Sequence, residues 1–202
     1  APASASDDAL RDTVYNDALP MTQRVDAMRE LTGLGKAGND TRKICIWDIV
    51  GRNGPIFSAA QDQRAKLLEY GIQLDLVPYT DERVMVDEFK AGLCDAALMS
   101  GLRARLFNTY TGTIDSIGGL PTQQHMRILL QVLADPASAE HMVQGDYVVA
   151  GIAPVGGAYL FVNDKKINSL AAAAGKNVAV LDYDPVQAEM VGQVGASPVP
   201  TD

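Results

Sequence analysis

From Lys43 onward, short apolar runs of strand length alternate with longer stretches of helical period, and few folds accommodate that alternation. Lys43–Ile49 (Lys-Ile-Cys-Ile-Trp-Asp-Ile) is rich in β-branched residues and reads as a buried strand. A turn at Val50–Gly54 follows, and Pro55 suits the first turn of a helix. That helix is expected over Ile56–Tyr70, with Phe57, Ala60, Leu67 and Leu68 on one side and Gly71 as its stop. Ile72–Tyr79 is the second strand. Thr80 is the expected cap of the next helix, which carries Asp81 and Glu82 in its first turn and closes at Gly92. Leu93–Ser100 is the third strand. Strand, helix, strand, helix, strand with short turns predicts a parallel sheet covered by helices.

The flanks read differently. Asp17–Leu34 carries Met21, Val25, Met28 and Leu31 at spacings of three and four, which predicts an amphipathic helix. Gly33 and Gly35 end it, and a polar loop spans Lys36–Arg42, so residues 1–41 form a helical arm. Beyond Ser100, the polar stretch Gly101–Pro121 leads to helices over Thr122–Leu133 and Ser138–Val143. Two apolar runs, Asp146–Ile152 and Ala158–Val162, are separated by Ala153–Gly157; such a Pro/Gly break predicts a bend or a crossing between lobes. A helix at Asn168–Ala174, a strand at Asn177–Leu181, a helix at Asp184–Val194 and a strand at Ala196–Pro200 then begin a second βαβ unit. It reads as incomplete at Asp202.

A chain of 202 residues has room for one domain or two small lobes. Its net charge of −8 runs against nucleic-acid binding, which needs a cationic surplus, and against docking to an anionic membrane. No run approaches the ~18 apolar residues of a transmembrane helix, so no direct membrane insertion is expected. The start, Ala1-Pro2-Ala3-Ser4-Ala5-Ser6 followed by Asp7 and Asp8, fits either the residue left by signal-peptide cleavage or a trimmed terminus. The two cysteines, Cys45 and Cys94, sit at strand-like positions. They could form a disulfide between neighbouring strands or remain two buried thiols.

Catalytic signatures are missing. Gly51-Arg-Asn-Gly54 lacks both the dinucleotide and the P-loop spacing. No G-x-S-x-G surrounds Ser58, Ser100 or Ser116, and His125 and His141 stand alone in helical stretches. The carboxylates are scattered, and Cys and His do not cluster. No catalytic residue, metal site or cofactor is therefore assigned. Position is the remaining guide, because ligands of open parallel sheets settle beyond the carboxyl ends of the strands. That rim collects Asp48, Arg52, Asn53, Tyr79, Ser100, Arg103 and Arg105, with Trp47 just beneath. Arg103 and Arg105 flank Ala104, so one can face a ligand while the other pairs with a surface acid. The helix N-terminus near Pro55 also favours an anion.

Lys165–Ala171 (Lys-Lys-Ile-Asn-Ser-Leu-Ala), Gly175–Val180 (Gly-Lys-Asn-Val-Ala-Val) and Val194–Pro200 (Val-Gly-Ala-Ser-Pro-Val-Pro) resemble the start of the second lobe in periplasmic solute receptors of the TRAP-transporter type. Ile44–Asn53 and Asp95–Phe107 resemble a divergent group of solute-binding proteins, some labelled accessory components of multidrug efflux systems. The resemblance covers Arg42 to Asp202. It implies an α/β, type II periplasmic-binding-protein-like fold, with a first lobe at 42–153 and the start of a second, truncated lobe at 154–202. It further implies hinge closure about Pro154–Gly157, a periplasmic location, no catalysis, a small organic solute as ligand and membrane transporter subunits as partners. Tyr159, Tyr183 and Asp184 are the second-lobe residues expected to face the cleft, although Asp184 before Pro185 also reads as a helix cap. The arginine that clamps a solute carboxylate in that family is replaced here by Ala179.

Overall fold

The computed structural model describes residues 5–33, 41–115, 119–157 and 159–201. Ala1–Ser4, the Lys36–Asp40 part of the expected loop, Ser116, Ala158 and Asp202 lie outside the described residues. The chain divides into two compact units, Ala1–Met99 and Ser100–Asp202. These do not coincide with the lobe ranges read from the sequence.

In the first unit, helices α1 (Ala5–Tyr15) and α2 (Met21–Thr32) pack on each other. Only α2 lies within the helix expected over Asp17–Leu34; α1 is an additional helix. Arg29 of α2 donates to the carbonyl of Tyr70, just past the end of α3 (Pro55–Leu68). A guanidinium there meets the negative end of the helix dipole, which favours docking of the arm.

Strands β1 (Thr41–Trp47), β2 (Gln73–Tyr79) and β3 (Ala96–Leu98) form an all-parallel sheet in the order β2-β1-β3. Alternation decides what each face buries. Ile44 and Ile46 of β1 share a face with Leu74 and Leu76 of β2, and α3 covers them with Ile56, Phe57 and Ala60. Cys45 and Trp47 point the other way with Val77 and Tyr79, toward α4 (Glu82–Lys90). The Tyr79 hydroxyl donates to Glu88 of α4. Cys45 is disulfide-bonded to Cys94, just ahead of β3, and both are buried.

Two details depart from expectation. The cap of α4 is Asp81, whose carboxylate accepts the N–H of Val84 at 3.1 Å, rather than Thr80. The third strand is only three residues long: Leu93 and Cys94 precede it outside any element, and Ser100 already caps the next helix.

The second unit begins with two short helices inside a stretch read as a polar connection, α5 (Gly101–Ala104) and α6 (Thr109–Ile114). Ser100 and Asn108 cap them through their side chains. Helix α7 (Gln123–Leu133), capped by Thr122, precedes a 3₁₀ segment at Pro136–Met142 and the antiparallel pair β4 (Val143–Gln144) and β5 (Tyr147–Val148). Of the two apolar runs, only Tyr147–Val148 pairs among the described residues. Tyr159–Val162 belongs to no element, and Phe161 is 90% exposed. Apolar character alone does not make a strand where no neighbour supplies the ladder of hydrogen bonds. Helix α8 (Leu170–Ala173), β6 (Asn177–Leu181), α9 (Pro185–Gln193) and β7 (Ser197–Thr201) follow, with β6 and β7 parallel.

Candidate functional site

The order β2-β1-β3 is that of a doubly wound sheet: β1 leads through α3 to one side, then β2 leads back through α4 to the other. Right-handed crossovers in opposite directions put the two helices on opposite faces, as observed, and leave a switch point at the carboxyl ends of β1 and β3. Asp48–Gly54 lies there.

Asp48 is buried, and both of its carboxylate oxygens are engaged. Oδ1 accepts the N–H of Val50 at 2.9 Å, while Oδ2 accepts those of Ile56 at 2.8 Å and Phe57 at 3.0 Å. Burial pushes its pKa up, but the N–H donors of Phe57, Val50 and Ile56 outweigh it and hold the group below the ordinary carboxylate range. The N-terminus of α3 is thus occupied by the protein's own carboxylate rather than left open to a ligand anion. The loop is shaped for this contact. Gly51 takes a φ of 72°, and a Cβ at Gly54 would collide with the Asp48 carboxylate.

Around Asp48, the other rim residues diverge. Arg52 and Asn53 are exposed, with the Arg52 guanidinium 5.7 Å from the centre of the Phe57 ring. Trp47 and Tyr79 are half-buried on the α4 face, and the Tyr79 carbonyl accepts the Asp48 N–H at 2.9 Å. Tyr79 has its pKa pushed up to about 12 by burial, by its hydrogen bond to Glu88 and by the charge of that carboxylate. Its oxygen also lies 3.8 Å from Cys45 Sγ.

In the second unit, four of the expected site residues meet. The turn between β6 and α9 presents Tyr183 and Asp184 to α5 and the residue that ends it. The Arg103 guanidinium lies over the Tyr183 ring, 3.4 Å from its centre, and Arg103 is buried. Arg105 Nη2 donates to Asp184 Oδ1 at 2.8 Å. That oxygen also accepts the N–H of Gln187 at 3.3 Å, so Asp184 is the cap of α9 and an ion-pair partner at once. The Arg105 stem runs against Gly112, where a Cβ would collide with it. Ser100 accepts the Arg103 N–H at 3.3 Å and fixes the start of α5. Tyr159 joins none of this; it is 81% exposed.

Sequence reasoning missed Asn108. It is buried, caps α6 by accepting from Tyr110, and donates to the His141 carbonyl at 3.0 Å, tying α6 to the 3₁₀ segment. An Asn ahead of Thr109 and Tyr110 is a capping signal, but a six-residue helix is too short to draw attention to it. Among the described residues, no group of three or more His, Cys, Asp or Glu side chains is arranged to hold a metal ion. Among the same residues, no helix is long and apolar enough to cross a membrane.

The sequence model of the family described as "Solute-binding protein AdeT 1/2" matches residues 64–202. The chain belongs to that family. It is 42% identical over 157 residues to a protein of Acinetobacter baumannii named "Probable solute-binding protein AdeT1", a match that spans 78% of this chain and 52% of that protein. It is 36% identical over 91 residues to "Probable solute-binding protein AdeT2" of the same organism, spanning 45% of this chain and 38% of that one. The chain therefore spans about half the length of AdeT1. The family match takes in β2, β3 and the whole second unit, including all four residues of the Arg103–Tyr183 and Arg105–Asp184 contacts. No solved structure matches.

Proposed function

We propose that the chain is part of an exported receptor of the TRAP type, with a type II periplasmic-binding-protein arrangement. It captures a small organic solute between two lobes, 42–153 and one starting at 154, and delivers it to membrane transporter subunits without catalysis. Membership of the AdeT 1/2 solute-binding family carries this reading. The β2-β1-β3 order supports it, because such sheets bind ligands beyond the carboxyl ends of their strands. The buried Cys45–Cys94 disulfide supports a periplasmic location, since disulfides persist in oxidising compartments. Closure about Pro154–Gly157 would let solute stabilise one conformation by touching both lobes.

A second reading, a non-catalytic accessory protein of an efflux assembly that keeps the receptor fold, draws support from the side chains that already satisfy Arg105 and the α3 N-terminus. Thermal melts in the presence of small-molecule fractions of periplasmic extract separate the two. A solute receptor gains melting temperature with at least one fraction, since a ligand that binds only the folded state stabilises it. Unchanged melts with every fraction would favour the accessory protein.

A further inference from the structure

Asp184 does more than cap a helix. Its carboxylate is the anion that Arg105 meets, across 79 positions of sequence, and only 8% of its side chain is exposed. Arg105 keeps 27% of its side chain accessible, enough to meet solvent or a solute, but Nη2 is spent on Asp184. Two further contacts pack the Arg105 stem and the turn that carries Asp184. Gly112 leaves room for that stem alone, and the stacking of Arg103 on Tyr183 fixes the same turn between β6 and α9. An arginine of this kind is the group that normally recognises a carboxylate, through its planar donor fork.

We propose that Asp184 is a specificity-determining residue, a built-in carboxylate that fills the anion-recognising edge of Arg105 and turns the site against anionic solutes. The proposal rests on the solute-receptor reading and deepens it by naming a charge class: neutral or cationic organic molecules. A solute carboxylate that takes both N–H groups of the Nη2 edge must displace Asp184, which is tied down by the Gln187 N–H at 3.3 Å and cannot swing away without uncapping α9. The acidic balance of the whole chain, −8, acts in the same direction by opposing the approach of anions.

Asp184→Asn removes the charge and keeps a side chain that caps a helix nearly as well. Benzoate is the probe, with sodium chloride at matched ionic strength as the control and thermal melting as the readout. The half-saturating benzoate concentration is expected to fall by about tenfold in Asp184→Asn relative to the unmodified chain, the scale of one recovered charge-assisted contact. The gain is expected to vanish in Asp184→Asn/Arg105→Gln. Asp184→Ser, which also retains a cap, repeats the measurement should the asparagine variant fold poorly. Equal responses of the unmodified chain and the charge-removed variants overturn the proposal. So does a gain that survives loss of Arg105. Failure of solute capture itself is read separately, from melts of the unmodified chain with periplasmic fractions.

Discussion

The Asp48 carboxylate accepts the backbone N–H of Phe57 at 3.0 Å, so a residue leaving β1 caps a helix that starts seven positions later. Gly54 stands at the formal cap position but has no side chain to offer, and Asp48 supplies the acceptor from behind it. With the folded pKa held below the unfolded one, ionised Asp48 favours folding above the ordinary carboxylate range. That contribution is lost as pH falls through the folded value. Asp48→Asn is expected to lower the melting temperature by several degrees at neutral pH and to flatten the acid limb of the stability curve. Circular-dichroism melts from pH 7 down to about 2 measure both.

Tyr79 behaves in the opposite sense. Its pKa is raised to about 12, so its contribution is fully present below the ordinary phenol range and is lost as pH climbs through 12. Tyr79→Phe is expected to lower stability at neutral pH by about 1 kcal/mol, through loss of the hydrogen bond to Glu88, and to make the alkaline loss of stability shallower. Ultraviolet phenolate titration of the folded protein, compared between the two forms, is expected to lose its most alkaline tyrosine step in the variant.

Reduction should be costly. The Cys45–Cys94 bond closes a loop with a sequence separation of 49, and a cross-link of that span stabilises by about 2–4 kcal/mol through restriction of the unfolded chain. Urea unfolding with and without dithiothreitol is expected to show the difference, and Cys45→Ala/Cys94→Ala is expected to match the reduced form.

At Gly112 the Arg105 side chain occupies the space a methyl group would need. Gly112→Ala is expected to destabilise by about 1–3 kcal/mol, the usual cost of overpacking a filled site. If the displaced group is Arg105, the same substitution weakens the coupling to Asp184. A double-mutant cycle of Arg105→Ala and Asp184→Ala is expected to give about 1 kcal/mol in the unmodified background and less with Ala at 112.

How much of this could be read in advance differs from element to element. Strands β1 and β2 and helix α3 were legible because apolar runs of the right length stand between Gly and Pro punctuation. The cap role of Asp184 was legible because it immediately precedes Pro185. That of Asp48 was not, since the N–H groups it accepts belong to residues eight and nine positions on, and only the folded loop brings them near. Helices α5 and α6 were hidden for a related reason. Each is one or two turns long and is held by Ser100 and Asn108 rather than by an apolar stripe. The apolar run at Tyr159–Val162 forms no strand because the sequence records β-propensity but not the presence of a partner. The pairing of Arg103 with Tyr183 and of Arg105 with Asp184 joins residues ~80 positions apart, beyond the reach of any local pattern.

Solute capture is tested most directly by native mass spectrometry of the chain purified without a denaturing step and incubated with periplasmic extract. A discrete added mass of small-molecule size, lost on denaturation, is the result expected of a receptor, and it gives the molecular mass of the solute. A bare protein before and after incubation would contradict capture and leave the accessory-protein reading in its place.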